Sequence, residues 1–505
     1  MSTSNNPWYF TRLGLWASVL IFPPVGLVLL WMRPQTRLPW KLLGSVVVAG
    51  IGMAHLLLFY GLRMEPDGTG IMPMFSFKDP ASQQQQLEQH RAAQKAAEPA
   101  QTAAPATVEA AAPQASAHIA SAYWADFRGP ERQGHYEQKP ILTVWPAQGL
   151  QRLWKQPAGG GYASFTIAEG MAFTIEQRRN QEVVAAYEVP TGREKWTNAW
   201  TANFQEGMGG DGPRATPVWD GGRVYAQGAE GELRCIDATS GKTIWNVNIL
   251  RDNGASNIQW GMANAPLVVD GKVIVLPGGS GGKSVVAYDK ITGKRVWSAL
   301  DDQASYTSPM LVTLAGKRQL LIVTAKRAAG LTVEEGKLLW EYPWTTEFDI
   351  NCAQPIIVAP NRFFISAGYG HGAAVVELSG QGDRFQPRTV WQNTRMKNKF
   401  NSSVLYQGHI YGLDENILAC VNAETGDQKW KGGRYGYGQL LLASGHLVVL
   451  SESGDVALVK ASPERHQEVA QFSAIEGKTW NHPAISDGLL LVRNTTEMAC
   501  FRIGR

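Results

Sequence analysis

Signatures of catalysis and metal binding are scarce in this sequence. It contains no C-x-x-C pair, no His-Glu-x-x-His and no Gly-x-Ser-x-Gly, and its nine histidines form no cluster with ligand spacing. Hydrolases and metalloenzymes are therefore left without a supporting motif. The formal net charge is only +4 over 505 residues, and no run of lysine and arginine is interleaved with aromatic residues. Nucleic-acid binding is not expected.

Cysteines are few and define no framework. Three of the four, Cys235, Cys420 and Cys500, lie in similar apolar segments, whereas Cys352 does not. The similarity places these three on equivalent strands of a repeated unit, where a thiol acts as a small core residue. The spacing neither requires nor excludes a disulfide.

The sequence does contain a repeat built on glycine and tryptophan. Copies of the pattern Gly-x-x-x-Trp end at Trp196, Trp245, Trp297, Trp340 and Trp430, and degenerate copies without the aligned glycine end at Trp154 and Trp391. Successive tryptophans are 42, 49, 52, 43, 51 and 39 residues apart. A period of about 40 to 50 residues is typical of the blades of a β-propeller.

Each repeat predicts four strands, because apolar β-branched runs flank two hairpin turns. The outer strands from Trp154 to Phe472 number eight, and eight sets of three strands follow them, the last at 483–503. Pairing the first outer strand with the last set would close an eight-bladed, all-β propeller over 123–505 without exposed sheet edges around the ring. A seven-bladed ring with one irregular blade and a β-sandwich are the alternatives.

Two uncharged segments precede the repeats. Residues 13–32 and 42–62 are long enough to cross a bilayer core of about 30 Å as helices, and Pro23-Pro24 would kink the first. The loop 33–41 carries Arg33, Arg37 and Lys41. By the positive-inside tendency this loop is cytoplasmic, which predicts an inner-membrane protein whose propeller lies in the periplasm, or outside the cell if there is one membrane.

The remaining boundaries follow from composition. Residues 1–12 form an N-terminal tail, and 63–122 are a linker rich in Ala, Gln and Pro. Such a composition buries too little apolar surface to fold, so we expect a disordered tether whose first part, to about Ala97, could form a frayed helix.

The candidate site is one mouth of the central channel. Loops that lead into the innermost strands of a propeller crowd around that mouth. Its predicted ligand-binding residues are Arg214, Asn264, Ser308, Asp349, Asn351, Gln354, Asn401, Trp480 and His482. They predict a polar funnel that grips a peptide, a sugar or a redox cofactor. The alternative is that the same groups cap strand ends and satisfy turn backbones.

The glycine-tryptophan repeat, together with the segment Trp-Ala-Asp-Phe-Arg-Gly-Pro at 124–130, resembles the pyrroloquinoline-quinone-like β-propeller repeat superfamily over 123–505. The resemblance implies the fold but not an activity. The superfamily includes quinone-dependent alcohol dehydrogenases, and also the non-enzymatic propeller subunit of the β-barrel assembly machinery. Its dehydrogenases hold calcium with Glu, Asn and Asp and use an Asp base. Here only Asp349 with Asn351 could take such roles. The dehydrogenases often also carry a disulfide between adjacent cysteines over the cofactor, and this sequence has no adjacent cysteines.

Two functions follow as hypotheses. The first is a membrane-tethered periplasmic scaffold that binds a protein or an envelope polymer, with no chemistry, cofactor or metal of its own. The second, implied by the resemblance, is a pyrroloquinoline quinone-dependent alcohol or sugar dehydrogenase that carries the quinone with calcium.

Overall fold

The computed structural model describes residues 7, 9, 11–34, 36–59, 63–66, 73–76, 80–97 and 122–505. They belong to two compact units. The first comprises residues 1–83 with 207–209, and the second comprises 84–206 with 210–505.

The first predicted membrane span is divided into two short helices. α1 (Arg12–Ile21) and α2 (Pro23–Met32) flank Phe22, whose backbone has φ −146° and ψ 88°. The proline pair lacks the amide hydrogens that a continuous helix needs, so the helix breaks where a kink was expected. Each of the two helices is about 15 Å long, which is half the thickness of the bilayer core.

The second predicted span is one helix that begins earlier than expected, α3 (Leu38–Phe59). Its segment Leu38–Leu57 is the only helix among the described residues that is long and apolar enough to cross a membrane. Trp31 Nε1 donates to Ser45 Oγ at 2.9 Å and Lys41 Nζ donates to the Trp31 carbonyl at 2.7 Å, so α2 packs beside α3. Among the described residues the structure thus shows one candidate span, and the predicted two-helix transmembrane hairpin is not shown.

The segment expected to be a disordered linker contains regular elements. β1 (Arg63–Pro66) and β2 (Pro73–Ser76) pair antiparallel, and α4 (Pro80–Ala96) is a 17-residue helix. The expected helix up to about Ala97 is present, and it packs against the propeller through Leu87 and Arg91, which are 2% and 7% exposed. Residues 98–121 of the predicted linker lie outside the described residues.

Residues 122–505, all described, form an eight-bladed propeller, as predicted, and not a seven-bladed ring or a sandwich. Two strands precede the first complete blade, β3 (His135–Tyr136) and β4 (Gln151–Pro157). The blades then follow in chain order: blade 1, β5 (Thr166–Ala168), β6 (Met171–Arg178), β7 (Gln181–Glu188) and β8 (Glu194–Thr201); blade 2, β9 (Val218–Asp220), β10 (Arg223–Gln227), β11 (Glu232–Asp237) and β12 (Thr243–Asn248), followed by the short helix α5 (Ile249–Asn253); blade 3, β13 (Leu267–Val269), β14 (Lys272–Val275), β15 (Val285–Asp289) and β16 (Arg295–Ala299); blade 4, β17 (Met310–Leu314), β18 (Lys317–Val323), β19 (Arg327–Leu331) and β20 (Leu338–Pro343); blade 5, β21 (Ile356–Ala359), β22 (Arg362–Ala367), β23 (Gly372–Gln381) and β24 (Arg384–Asn393); blade 6, β25 (Val404–Tyr406), β26 (His409–Asp414), β27 (Ile417–Asn422) and β28 (Gln428–Arg434); blade 7, β29 (Gln439–Ala443), β30 (His446–Leu450), β31 (Asp455–Lys460) and β32 (Glu468–Ser473); and blade 8, β33 (Ala484–Ser486), β34 (Leu489–Arg493) and β35 (Glu497–Arg502).

The glycine-tryptophan repeat holds neighbouring blades together. Gly241 has φ +70°, and a Cβ there would lie 2.7 Å from the Trp196 ring of the preceding blade, so two independent constraints require glycine. Trp196 Nε1 donates to the Ala238 carbonyl of the next blade at 2.8 Å. Trp340 of blade 4 differs, because the turn of the next blade lacks the aligned glycine. Its indole Nε1 donates instead to Gln319 Oε1 of blade 4 at 2.6 Å.

The ring closes as predicted from the repeat count. β4 pairs antiparallel with β35, with Trp154 opposite Cys500, and so completes blade 8. The core positions predicted for the thiols are also confirmed, since Cys235, Cys420 and Cys500 are fully buried. Within 122–505 no disulfide joins the four cysteines.

Candidate ligand-binding mouth

The segment 123–136 runs along the central channel and closes it. Trp124 bridges to Ile167 on β5, and the Trp219 amide on β9 donates to the Ala125 carbonyl at 2.9 Å. Further along, β3 pairs parallel with β29 as a fifth strand on the inner edge of blade 7. We call 123–136 the plug. The sequence placed 124–130 only at the entrance of the domain, so this position is a finding of the structure.

Two buried arginines fasten the plug to the inner strands. Arg132 is 2% exposed, pairs with Asp126 at 2.7 Å, and donates to three backbone carbonyls from blades 3 and 4. Arg128 donates to the Ser403 carbonyl of blade 6 at 2.9 Å, and burial lowers the pKa of Arg128 to about 9. The plug therefore ties distant blades together across the channel.

Three of the nine predicted site residues use their side chains to bond neighbouring mouth loops to each other. Asn264 Nδ2 donates to the Ser305 and Thr307 carbonyls at 2.7 and 2.8 Å. Ser308 Oγ accepts from the Ala265 amide at 2.9 Å, and Gln354 Nε2 donates to the Ser308 carbonyl at 2.6 Å. All three predicted residues are at most 3% exposed. Their bonds are the structural role given above as the alternative.

The predicted pair Asp349 and Asn351 is not assembled into one site. Asp349 is an exposed carboxylate whose oxygens accept from Lys326 Nζ at 2.8 and 2.9 Å. Asn351 is 1% exposed, and its Nδ2 donates to the Thr324 carbonyl at 3.0 Å. Asn401, also buried, accepts from Asn398 Nδ2 at 2.9 Å.

His482, the last of the predicted residues in chain order, lies where the mouth loops contact the plug. Its ring packs edge-on against Phe127 at 5.1 Å between centroids. Burial and the charge of Arg128 lower the pKa of His482 well below its usual value, so the imidazole is neutral.

Aromatic and cationic side chains surround the mouth above these bonds. The position four residues before the first residue of the inner strand is occupied in six blades by Tyr162, Arg214, Tyr306, Cys352, Phe400 and Trp480. We call the collar the set Tyr162, Arg214, Tyr306, Lys399, Phe400, Tyr437, Lys478 and Trp480. The sequence-based site included only Arg214 and Trp480 of this set. The recurring position is the signal that could have found three more, Tyr162, Tyr306 and Phe400.

The collar rings are in contact with each other and with cations. Trp480 lies 4.7 Å from Phe400 and 5.3 Å from Tyr162 between ring centroids. Lys478 Nζ lies 4.4 Å from the Trp480 ring and Lys399 Nζ lies 4.9 Å from Tyr437. These distances allow cation–π attraction, so the collar combines partly buried aromatic rings with positive charge beside them.

The carboxylate of Glu452 next to the collar is bonded to collar residues. Glu452 accepts from Trp480 Nε1 at 2.7 Å and from the Tyr437 amide at 3.2 Å. Across the described part of the chain, no group of three or more His, Cys, Asp or Glu side chains could hold a metal ion. Burial raises the pKa of the Cys352 thiol to about 12, so it is no thiolate ligand. The residues present do not fit a calcium site of the kind the dehydrogenase resemblance implies.

A family model described as outer membrane protein assembly factor BamB, with PQQ_2 repeats, matches residues 179–432, half of the chain. The chain belongs to this family. The match covers β7 to most of β28, so the closing strand, the plug and α4 lie outside it.

Family relatives fall into two functional groups by name. The chain is 20% identical over 280 residues to BamB of Yersinia pestis, which covers 52% of this chain and 68% of that protein. It is 39% identical over 90 residues to the quinohemoprotein alcohol dehydrogenase ADH-IIG of Pseudomonas putida, but this covers 17% of the chain and only 12% of the dehydrogenase. A crystal structure of quinohemoprotein alcohol dehydrogenase from Comamonas testosteroni superposes with a TM-score of 0.55 at 12% identity, over 75% of this chain and 80% of that one. At this identity the superposition shows the fold alone.

Proposed function

We propose that the chain is a membrane-tethered periplasmic scaffold whose collar binds a protein or an envelope polymer. In this proposal α3, with α1 and α2 beside it, anchors the chain in the cytoplasmic membrane, and the propeller lies on the periplasmic side. The observation that carries the proposal is the collar itself, a ring of aromatic and cationic side chains around a closed channel.

The closed channel limits how a ligand can bind. Because Arg132 and Arg128 hold the plug among buried carbonyls, a ligand lies across the mouth and not along the axis. The amides predicted to grip it already bond neighbouring loops, so recognition falls to the collar. Tyrosine, tryptophan and arginine dominate the binding energy of protein interfaces, and cations beside aromatic rings suit acidic or aromatic segments of a partner.

The second candidate is a pyrroloquinoline quinone-dependent dehydrogenase. It is supported by the dehydrogenase relatives, and by the fact that flat rings beside Lys399, Lys478 and Arg214 suit a planar cofactor with carboxylates. The carboxylates that would hold calcium are not gathered at the collar, which favours the scaffold.

A paired charge reversal tests the scaffold. Full-length protein in detergent, with Lys399→Glu in the collar and Lys429→Glu on the exposed outer strand of blade 6, is used to capture partners from cell envelopes. We expect the wild type and Lys429→Glu to retain the same partner and Lys399→Glu to lose it. Retention by all three proteins would contradict binding at the collar.

A titration separates the two candidates. Absorbance is followed while the quinone is added to full-length protein with and without calcium. Saturable, calcium-dependent binding in the micromolar range that Lys399→Glu weakens would favour the dehydrogenase, whereas no saturation supports the scaffold.

A further inference from the structure

α4 docks on the propeller through one polar stripe. Leu87, His90, Arg91 and Gln94 recur at intervals of three or four residues and so lie on one helix face. Leu87 and Arg91 are buried, whereas the neighbouring Lys95 is exposed. The stripe has a single aliphatic residue, so polar contacts decide where it binds.

The stripe crosses the seam where the ring closes. On the blade 8 side, Arg91 donates to Gln156 Oε1 and to the Pro157 carbonyl of β4, both at 3.2 Å. On the blade 1 side, Arg91 Nε lies 3.4 Å from Glu194 Oε2, and its guanidinium lies 4.9 Å from the Tyr187 ring centroid. α4 thereby contacts the closing strand and the first blade at once.

Other α4 residues reinforce both sides of the seam. Gln94 Nε2 donates to Gln156 Oε1 at 3.0 Å, and Gln94 Oε1 accepts from the Glu194 amide at 3.3 Å. At the exposed end of the contact, Arg179 donates to both oxygens of Glu88 at 2.6 and 2.8 Å.

The contact between blades 1 and 2 shows why the closing seam, between blades 8 and 1, needs an arginine from outside the blades. There, Asn198 Nδ2 donates to the Gly241 carbonyl at 2.9 Å and its Oδ1 accepts from Arg234 at 2.9 Å. At the closing seam Gln156 Nε2 makes the matching bond to the Gly192 carbonyl at 2.8 Å.

The strand registers identify the missing donor. In blade 2, Cys235 faces Trp245, and Arg234 is the residue directly before Cys235. In blade 1, Ala186 faces Trp196, so the position equivalent to Arg234 is Ala185. Blade 1 thus lacks the arginine that blade 2 provides, and Arg91 of α4 donates to Gln156 in its place.

The site that receives Arg91 is ionised and desolvated. Arg178 bonds Glu176 and Glu194, and Arg493 lies on the other side of Glu176. Burial alone would raise the pKa of Glu176, but Arg178, Arg493 and Arg91 together lower it to about 2. Such a site favours a guanidinium in fixed geometry over a flexible ammonium.

We propose that the closing seam is a helix-binding groove and that α4 is its ligand, anchored by Arg91. The part of the chain before residue 98 is then attached to the propeller twice, once covalently through 98–121 and once by this docking. The second attachment survives when the first is cut.

A cleavable full-length protein tests this. A protease site is inserted within 98–121, the purified protein in detergent is cut, and the N-terminal fragment is captured by its tag. We expect at least nine-tenths of the propeller to stay bound in the wild type and in Lys95→Glu, and most of it to be released in Arg91→Glu. Release from the cut wild type would overturn the proposal, as would equal retention by the two charge reversals.

Competition keeps the test valid if Arg91→Glu fails to fold. A synthetic peptide of residues 80–97 is added in excess to the cut wild-type protein. We expect it to displace the N-terminal fragment, while the same peptide with Arg91→Glu does not. Failure of the unmodified peptide to displace the fragment would show that α4 is not the attachment.

Discussion

Replacing Arg132 by methionine should measure how strongly the plug holds the ring together. The change keeps most of the side-chain volume but removes the partner of Asp126 and the donor to the carbonyls of Ala265, Pro266 and Pro309. Breaking a buried ion pair from one side destabilises by about 3 to 5 kcal/mol, and an unsatisfied buried carbonyl adds about 1 to 3 kcal/mol. Because Asp126 is a quarter exposed and water can reach it, we expect a total of about 4 kcal/mol.

The assay is thermal unfolding followed by calorimetry or circular dichroism. An unfolding entropy of about 2.1 cal/mol/K per residue gives about 0.8 kcal/mol/K for the propeller, so the expected loss lowers Tm by about 5 °C. The matched control is Arg395→Met at an exposed position, which should change Tm by less than about 1 °C. Equal Tm shifts for the two variants would refute the idea that Arg132 and the plug stabilise the propeller.

Three further variants probe the blades and the mouth. Burial raises the pKa of Glu182 to about 7, so its contribution to stability is full below about pH 4.5 and is lost as pH rises through 7. Glu182→Gln should therefore remove about 3 kcal/mol from the fall in unfolding free energy between pH 4.5 and 7, which paired wild-type and variant melts across that range would measure. Trp196→Phe keeps the ring over Gly241 but loses the bond to the Ala238 carbonyl, and should destabilise by about 1 kcal/mol in a denaturant titration. Asp349→Ala removes an exposed ion pair and should leave Tm within about 1 °C of wild type; a larger drop would place Asp349 in a structural network that these contacts do not show.

The fold could be predicted because its determinants are local and repeated. Apart from the copy that ends at Trp340, each Gly-x-x-x-Trp copy carries both halves of a blade-to-blade contact: the glycine meets the preceding tryptophan, and the tryptophan meets the next turn. Counting the outer strands from Trp154 to Phe472 and the eight sets of three strands predicted eight blades and the closing pair β4 and β35.

The plug and the docking of α4 on the propeller could not be predicted, because their contacts are distant in sequence and mostly polar. Arg132 bonds carbonyls more than 130 residues away, and no periodic pattern marks such a partner. Arg91 lies in a segment rich in Gln and Ala whose single buried aliphatic residue, Leu87, gives no amphipathic signal.

At the mouth, the side chains chosen from the sequence differ from those that form the collar. Sequence reasoning chose amides such as Asn264 and Gln354 because they can bind ligands, and the structure uses them to bond loops. It passed over Phe400 and Tyr437, because an aromatic residue in a loop is also a common packing residue.

The pairing of β4 with β35 also determines when the molecule can be completed during its synthesis. Pro157 faces Glu497, some 340 residues later in the chain. At about 5 to 20 residues per second, a ribosome needs roughly 20 to 70 seconds to supply the second strand after the first. Throughout that interval β4 has no partner strand, and a chain that stopped before β35 would leave blade 8 without its closing pair.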